Sequence, residues 1–213
     1  MEPNIEQKNL LKTLKKYEII KLLSNLNDTG NRNVYFEQYS TDIDIVVDIL
    51  YTAISDIYGK VVADLGCGNG IFSIGASLMN AKKVYCVEIT DSIKIAIENA
   101  IKLNVKNIEY HQIDVEKFNI NVDTTIMNPP FGYQNPGLDM KFFKTAMDIS
   151  NSIYFIYTSK GEYHIKNVFK NYEKKDFKLF RIKNYKLKIP YYYKFHKKDK
   201  EYIDISLYMA KVI

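Results

Sequence analysis

Tryptophan is absent from the 213 residues, and cysteine occurs only twice, histidine three times and proline five times. Cys67 and Cys86 cannot by themselves make a disulfide framework or a zinc site. His111, His164 and His196 lack metal-ligand spacing, so metal-centred catalysis is not expected. No apolar run approaches the roughly 20 residues that a membrane span needs. The stretch from Met1 to Lys16 is polar and charged, without the apolar segment of a secretory signal, so a cytoplasmic protein is expected. Internal repeats and low-complexity linkers are missing as well.

Hydrophobic residues make up 46% of the chain and charged residues 26%, which is enough apolar material for a sizeable core and argues against disorder. The charge is uneven. From residue 160 onward, 15 Lys and Arg face 6 Asp and Glu, whereas residues 1–159 hold 15 against 19. The same basic quarter holds eight of the 18 tyrosines. A basic, aromatic-rich end on an acidic body suits a polyanionic partner met by one face, and equally suits simple solubility.

Leu10, Leu14, Tyr17, Ile20 and Leu23 predict an amphipathic helix over 5–23. Thr41 is placed to cap a second helix carrying Ile45, Ile49, Ala53 and Ile57. Five strand-like segments then alternate with helices: 60–65, 83–88, 108–113, 122–127 and 153–158. The helices between them include 91–104, with Ile93, Ile97, Ala100 and Leu103 on one side, and then 139–149 and 160–172. Stretches 177–189 and 201–212 have no helix between them and should pair as an antiparallel hairpin. The pattern predicts an α/β fold with a mostly parallel seven-stranded sheet ending in that hairpin. A helical extension over 1–33 would precede the main domain at 34–213.

In such sheets, ligands bind outside the carboxyl ends of the strands. The polar motifs fall at those ends. Asp64-Leu65-Gly66-Cys67-Gly68-Asn69-Gly70 joins a strand to a helix through a glycine turn. Ile71 stands where a dinucleotide fingerprint would have its third glycine, which disfavours a pyrophosphate ligand and a nicotinamide oxidoreductase. Glu88 can accept from both hydroxyls of a ribose, and Asp114 from an adenine amino group. Together they describe an adenosine with an amino-acid tail, S-adenosylmethionine. Each feature alone has an ordinary structural reading as a turn or a helix cap.

Asn128-Pro129-Pro130-Phe131 follows the fourth strand. Two prolines end the strand and stiffen the backbone. The Asn128 oxygen and the Pro129 carbonyl can each accept one hydrogen of an adenine N6 amine. That aims the nitrogen lone pair at the methyl sulfonium, while Phe131 stacks on the base. The plain alternative is a proline-terminated strand with a core phenylalanine.

With these residues in view, the chain resembles the class I amino-methyltransferases. Phe36-Glu37-Gln38-Tyr39 with Thr41, LGCGNGIFSI at 65–74, IMNPPFG at 126–132, Asp139-Met140, Phe143 to Ala146 and Tyr193 to Lys198 make it similar to the methyltransferase-like-five family. The resemblance covers about residues 34–212 and implies N6-methylation of one adenine in small-subunit ribosomal RNA, with an archaeal source compatible with the compact sequence. It implies donor contacts from Gln38, Thr41, Asp64, Gly66, Asn69, Ile71, Glu88, Asp114 and Val115, and catalysis at Asn128, Pro129, Pro130 and Phe131. The family's usual Cys and Asp are Asn69 and Glu88 here. Tyr193, Lys194, Phe195, His196, Lys197 and Lys198, in the turn of the last hairpin, would bind RNA. A small zinc-containing, Trm112-like activator protein is a further partner that the family implies. The alternatives are a protein glutamine N5-methyltransferase, which typically has Tyr in place of Phe131, and a non-catalytic RNA-binding module on the same fold.

Overall fold

The computed structural model describes residues 15–28, 41–132, 135–189 and 201–213. Helices α1 (Lys16–Leu23), α2 (Ile43–Thr52) and α3 (Ile54–Ile57) lead into the sheet. Then come β1 (Val61–Leu65), α4 (Ile71–Leu78), β2 (Lys83–Val87), α5 (Ser92–Lys102), β3 (Ile108–His111) and β4 (Thr124–Met127). They are followed by α6 (Leu138–Ile149), β5 (Ser152–Thr158), α7 (Glu162–Lys170), β6 (Phe177–Ile189) and β7 (Glu201–Val212).

The strand order is β3-β2-β1-β4-β5-β7-β6. β1 to β5 are parallel, and β7 runs antiparallel to both β5 and β6. This is the fold expected from the sequence, and the two hairpin strands have the expected bounds. All residues of β4 and β5 are buried. Such unbroken burial is what helices on both faces of a parallel sheet produce. From β1 the chain steps outward to β2 and β3 and returns to β4. The direction of winding therefore reverses between β1 and β4, and a crevice opens at their carboxyl ends.

Ile19 and Leu23 of α1 are 0% and 1% exposed and belong to the same core as the sheet. Burying each is worth ~1.5–3 kcal/mol. The close approach of α1, α2 and α4 depends on Gly75: an added Cβ there would lie 2.3 Å from Leu50 Cδ1 and 3.6 Å from Leu23 Cδ1. Asp48 of α2 ties this layer to the hairpin. It accepts from Lys16, Lys183 and the Tyr185 hydroxyl. Burial alone would raise its pKa, but these bonds outweigh it and hold the carboxyl at about 2. Strand β6 forms the outer edge and carries Lys178, Arg181, Lys183 and Lys186, which discourage edge-to-edge pairing.

Several expectations need correction. Residues 5–14 of the first predicted helix lie outside the described residues. Thr41 does not cap α2. Asp42 occupies the cap position and makes no side-chain cap bond, while the Thr41 hydroxyl is used elsewhere. Ile97 is 37% exposed, because α5 instead turns Ile93, Ala96, Asn99 and Ala100 inward. The last helix of the alternating series starts at Glu162, not 160, because a 3-10 turn occupies Ser159–Gly161. Cys67 and Cys86 make no framework, yet they pair in a disulfide with Cα atoms 5.5 Å apart. The parallel register sets Leu65 against Val87, and the turn at Gly66 then folds Cys67 back over β2.

Candidate active site

The glycine turn is anchored to the end of β2. The amides of Gly66 and Cys67 both donate to the Val87 carbonyl, at 2.8 and 3.0 Å. Gly70 has φ 80°, and an added Cβ would sit 2.8 Å from Ala96 Cβ, so position 70 requires glycine both for its backbone and for the close approach of α5.

Asp64, at 1% exposure, lies beneath this turn. Its Oδ2 accepts from the Ser73 amide at 2.9 Å and the Ser73 hydroxyl at 2.6 Å. Its Oδ1 is buried with no hydrogen-bond partner. Burial pushes its pKa up to about 7; the Ser73 bonds oppose the rise and the Glu88 charge adds to it. Glu88 is 6% exposed. Its Oε2 accepts from the Gly68 amide at 3.0 Å, and Oε1 accepts from the Thr90 amide and hydroxyl at 2.9 and 2.8 Å. A carboxylate oxygen has two lone-pair sites, so Oε2 retains capacity for a ribose hydroxyl while shaping the turn.

The Asp114 Oδ1 accepts from the Glu116 amide at 3.0 Å and so opens the 3-10 turn Val115–Lys117. Val115 is buried, and its carbonyl accepts from the Thr145 hydroxyl at 3.3 Å. Ile71 begins α4 and is half-buried. The Asn69 amide nitrogen donates to the Asn27 carbonyl at 3.2 Å.

Across the crevice, β4 ends in the proline loop. Pro129 and Pro130 are buried and Asn128 is half-buried. The Nδ2 of Asn128 donates to the Thr41 hydroxyl at 2.8 Å. Phe131 is 7% exposed, and its ring meets Tyr157 edge-on at 5.7 Å. It is thus a packed ring that leaves only a margin for a ligand. Tyr157 in turn donates to Asp139 Oδ2 at 2.7 Å, and His164 Nε2 lies 3.6 Å from the same oxygen. The donor and proline loops are linked through α6: an added Cβ at Gly66 would lie 2.9 Å from Phe142 Cε1.

The described candidates therefore share one edge, the carboxyl ends of β1 to β4. Gln38 and the segment Tyr193 to Lys198 lie outside the described residues. Sequence reasoning missed Ser73, Asn99 and Tyr157, whose side chains pair with other segments, and Thr90, which closes a local turn on Glu88. Among the described residues, no group of three or more His, Cys, Asp or Glu could hold a metal ion, and no helix is long and apolar enough to cross a membrane.

Residues 32–180 match the methyltransferase small domain family. The rRNA N(6)-adenosine-methyltransferase METTL5 of Danio rerio is 33% identical over 204 residues, covering 91% of this chain and 96% of its own. The chain belongs to the methyltransferase small domain family and to the METTL5-like methyltransferases. An uncharacterized Methanocaldococcus jannaschii protein is 34% identical over 92% of this chain and 93% of its own. The crystal structure of PH1948, a candidate RNA methyltransferase from Pyrococcus horikoshii, has a TM-score of 0.81 at 35% identity, covering 94% of this chain and 98% of its own.

The methyl donor of this METTL5-like methyltransferase is S-adenosylmethionine. The site's chemistry fits it. The donor is a sulfonium cation carrying an adenosine, and the crevice offers two buried carboxyl groups, Asp64 and Glu88, one with an orphaned oxygen. The glycine turn beside them presents backbone without side chains.

Proposed function

We propose that the protein methylates N6 of an adenine in small-subunit ribosomal RNA. The observation that carries this reading is the Asn128 amide at the end of β4, its nitrogen held by Thr41, beside the glycine turn that follows the neighbouring strand β1. The zebrafish relative's activity on rRNA adenosine supports the substrate.

When bound, S-adenosylmethionine supplies a methyl group already activated by its sulfonium sulfur. Glu88 would hold the ribose, Asp114 and Val115 the adenine, and Gly66, Asn69 and Ile71 the remainder, with Asp64 bracing the start of α4 beneath the turn through Ser73. Thr41 takes the nitrogen end of the Asn128 amide, so the oxygen end accepts one N6 hydrogen of the target adenine. The Pro129 carbonyl accepts the other. These two bonds draw the nitrogen lone pair out of conjugation and aim it at the methyl group. Phe131, held by Tyr157, walls the base. The chemistry is positioning plus dipole stabilisation. In this reading Gln38 also reaches the donor, Tyr193 to Lys198 grip the RNA, and a small zinc-containing activator of the Trm112 type binds the protein.

The test is transfer of a tritiated methyl group to ribosomal RNA from a strain lacking the gene, followed by mapping of the labelled nucleoside. Label in N6-methyladenosine of the small-subunit RNA is expected. Label in the large subunit or in a peptide overturns the reading. Asn128→Ala should lose transfer by about 100-fold or more while still binding the donor.

A further inference from the structure

Asn99, in the middle of α5, is 0% exposed, yet its side chain does not serve its own helix. Its Nδ2 donates to the carbonyls of Asn27 and Asn69, each at 3.0 Å. Its Oδ1 accepts from the Asn27 amide at 2.8 Å. Asn69 adds a bond from its own side chain to the Asn27 carbonyl at 3.2 Å. One buried amide thus fastens the segment after α1, the glycine turn and α5 to one another. A turn of helix earlier, Ala96 bears on Gly70, so α5 supports the glycine turn at two successive points. Lys102, nearly one turn later, reaches back to the Asn25 carbonyl.

A buried side-chain amide is costly unless its donors and acceptor are used, and here both donors and the acceptor are. Alanine or leucine would favour the helix more and bury more cheaply. The cost is repaid where the fastener acts, at a turn whose glycines lose more conformational freedom on ordering than any other residue.

We propose that Asn99 is a positioning residue for the methyl donor: it pre-orders the glycine turn by tying it to the chain at Asn27, which makes the segment following α1 part of the donor site's support. The inference needs only the donor's identity and holds whatever the methyl acceptor is. Without the fastener, the turn populates its binding-competent form for only a fraction of the time, and the apparent affinity falls by that fraction. Losing two or three net hydrogen bonds, partly compensated by water, predicts about a ten-fold loss.

The experiment uses the full-length protein and S-adenosylhomocysteine as the probe, titrated calorimetrically into wild type, Asn99→Ala and Asn99→Ser. Asn99→Ser keeps a small polar group in the cavity and provides a folded variant should the alanine variant not fold. Hydrogen exchange at the Gly68 and Gly70 amides is followed in the ligand-free protein. Ile153→Val on β5 is the control for a general loss of stability. The expected result is affinity weakened by about ten-fold and faster exchange at the turn in the Asn99 variants, with both readouts unchanged in Ile153→Val. On whichever acceptor wild type labels, the loss should fall on the donor KM rather than on kcat. Affinity within two-fold of wild type in a folded Asn99 variant overturns the proposal, as does an equal loss in Ile153→Val.

Discussion

Asn128 Nδ2 donates a 2.8 Å hydrogen bond to Thr41 Oγ1, joining the proline loop to the residue that leads into α2, 87 positions earlier in the chain. The bond fixes the nitrogen end of the amide. In the proposed reaction the oxygen end is then the group that the target amine meets. Thr41→Val keeps the shape and removes the acceptor. It is expected to lower methyl transfer by about ten-fold, the worth of one well-placed hydrogen bond, and S-adenosylhomocysteine affinity separates this loss from that of the donor contact which the family resemblance implies for Thr41. Thr41→Ser should restore the rate. Steady-state transfer and calorimetry on the three proteins check this.

Asp64 makes a prediction about pH. Its folded pKa, raised by burial to about 7, stands above the ordinary aspartate value of 3.8. Between those values the folded protein holds a proton that the unfolded chain has released. The contribution of Asp64 to stability is therefore greatest at and below the lower pKa, declines as pH rises through the window, and levels off above the upper pKa. Asp64→Asn can still accept from Ser73 through its oxygen and carries no charge. It should be the more stable protein at pH 8, by an amount of the order of a few kcal/mol, and the difference should shrink toward pH 4. Denaturant unfolding of both proteins across that range gives the comparison; a constant difference would remove Asp64 as its source.

Tyr157 sets Phe131. Its hydroxyl is held by Asp139 and its ring packs on Phe131 edge-on. Tyr157→Phe should cut the rate of methyl transfer several-fold without changing donor affinity. Gly161→Ala attacks the same ring by another route, since the added Cβ would fall 2.3 Å from Tyr157 Cε1. Both variants are expected to slow the reaction. If Tyr157→Phe slows it no more than two-fold, the hydroxyl is dispensable to the placement of Phe131.

The Cys67–Cys86 disulfide closes a loop of 19 residues that includes the glycine turn and α4. On loop-closure grounds, breaking it should cost about 2–4 kcal/mol of unfolding free energy. Urea unfolding with and without a phosphine reductant, together with the double variant Cys67→Ser and Cys86→Ser, measures it. Reduced wild type and the double variant should agree; if reductant changes nothing, the bridge is not formed in solution.

Much of the fold was legible because it rests on periodic signals. Ile45, Ile49, Ala53 and Ile57 recur at helical spacing and are all buried, and the two hairpin strands occupy the stretches expected of them, Phe177–Ile189 and Glu201–Val212. The candidate site was legible as a set of strand ends, because glycine, acid and proline signatures each punctuate a strand. Side-chain pairings over long separations were not legible. Asn99 and Asn27 are 72 residues apart, and nothing periodic connects an amide on a helix to a loop. Thr41 was misread because a hydroxyl before a helix satisfies the local capping rule equally well; only the position of β4 shows that Asn128 claims it. The disulfide escaped for the same reason, since pairing requires the register of β1 on β2.

The reversal of winding between β1 and β4 has a consequence for how such a protein can diversify. Everything that would grip the nucleoside of the methyl donor comes from the segment wound outward through β2 and β3, while the proline loop and the terminal hairpin come from the segment wound the other way. The two halves meet where β4 pairs with β1 and where α6 packs on Gly66 and Val115. A lineage can therefore rewrite the second half to accept a new molecule and leave the first intact, so that the supply of the reagent stays constant while its recipient changes.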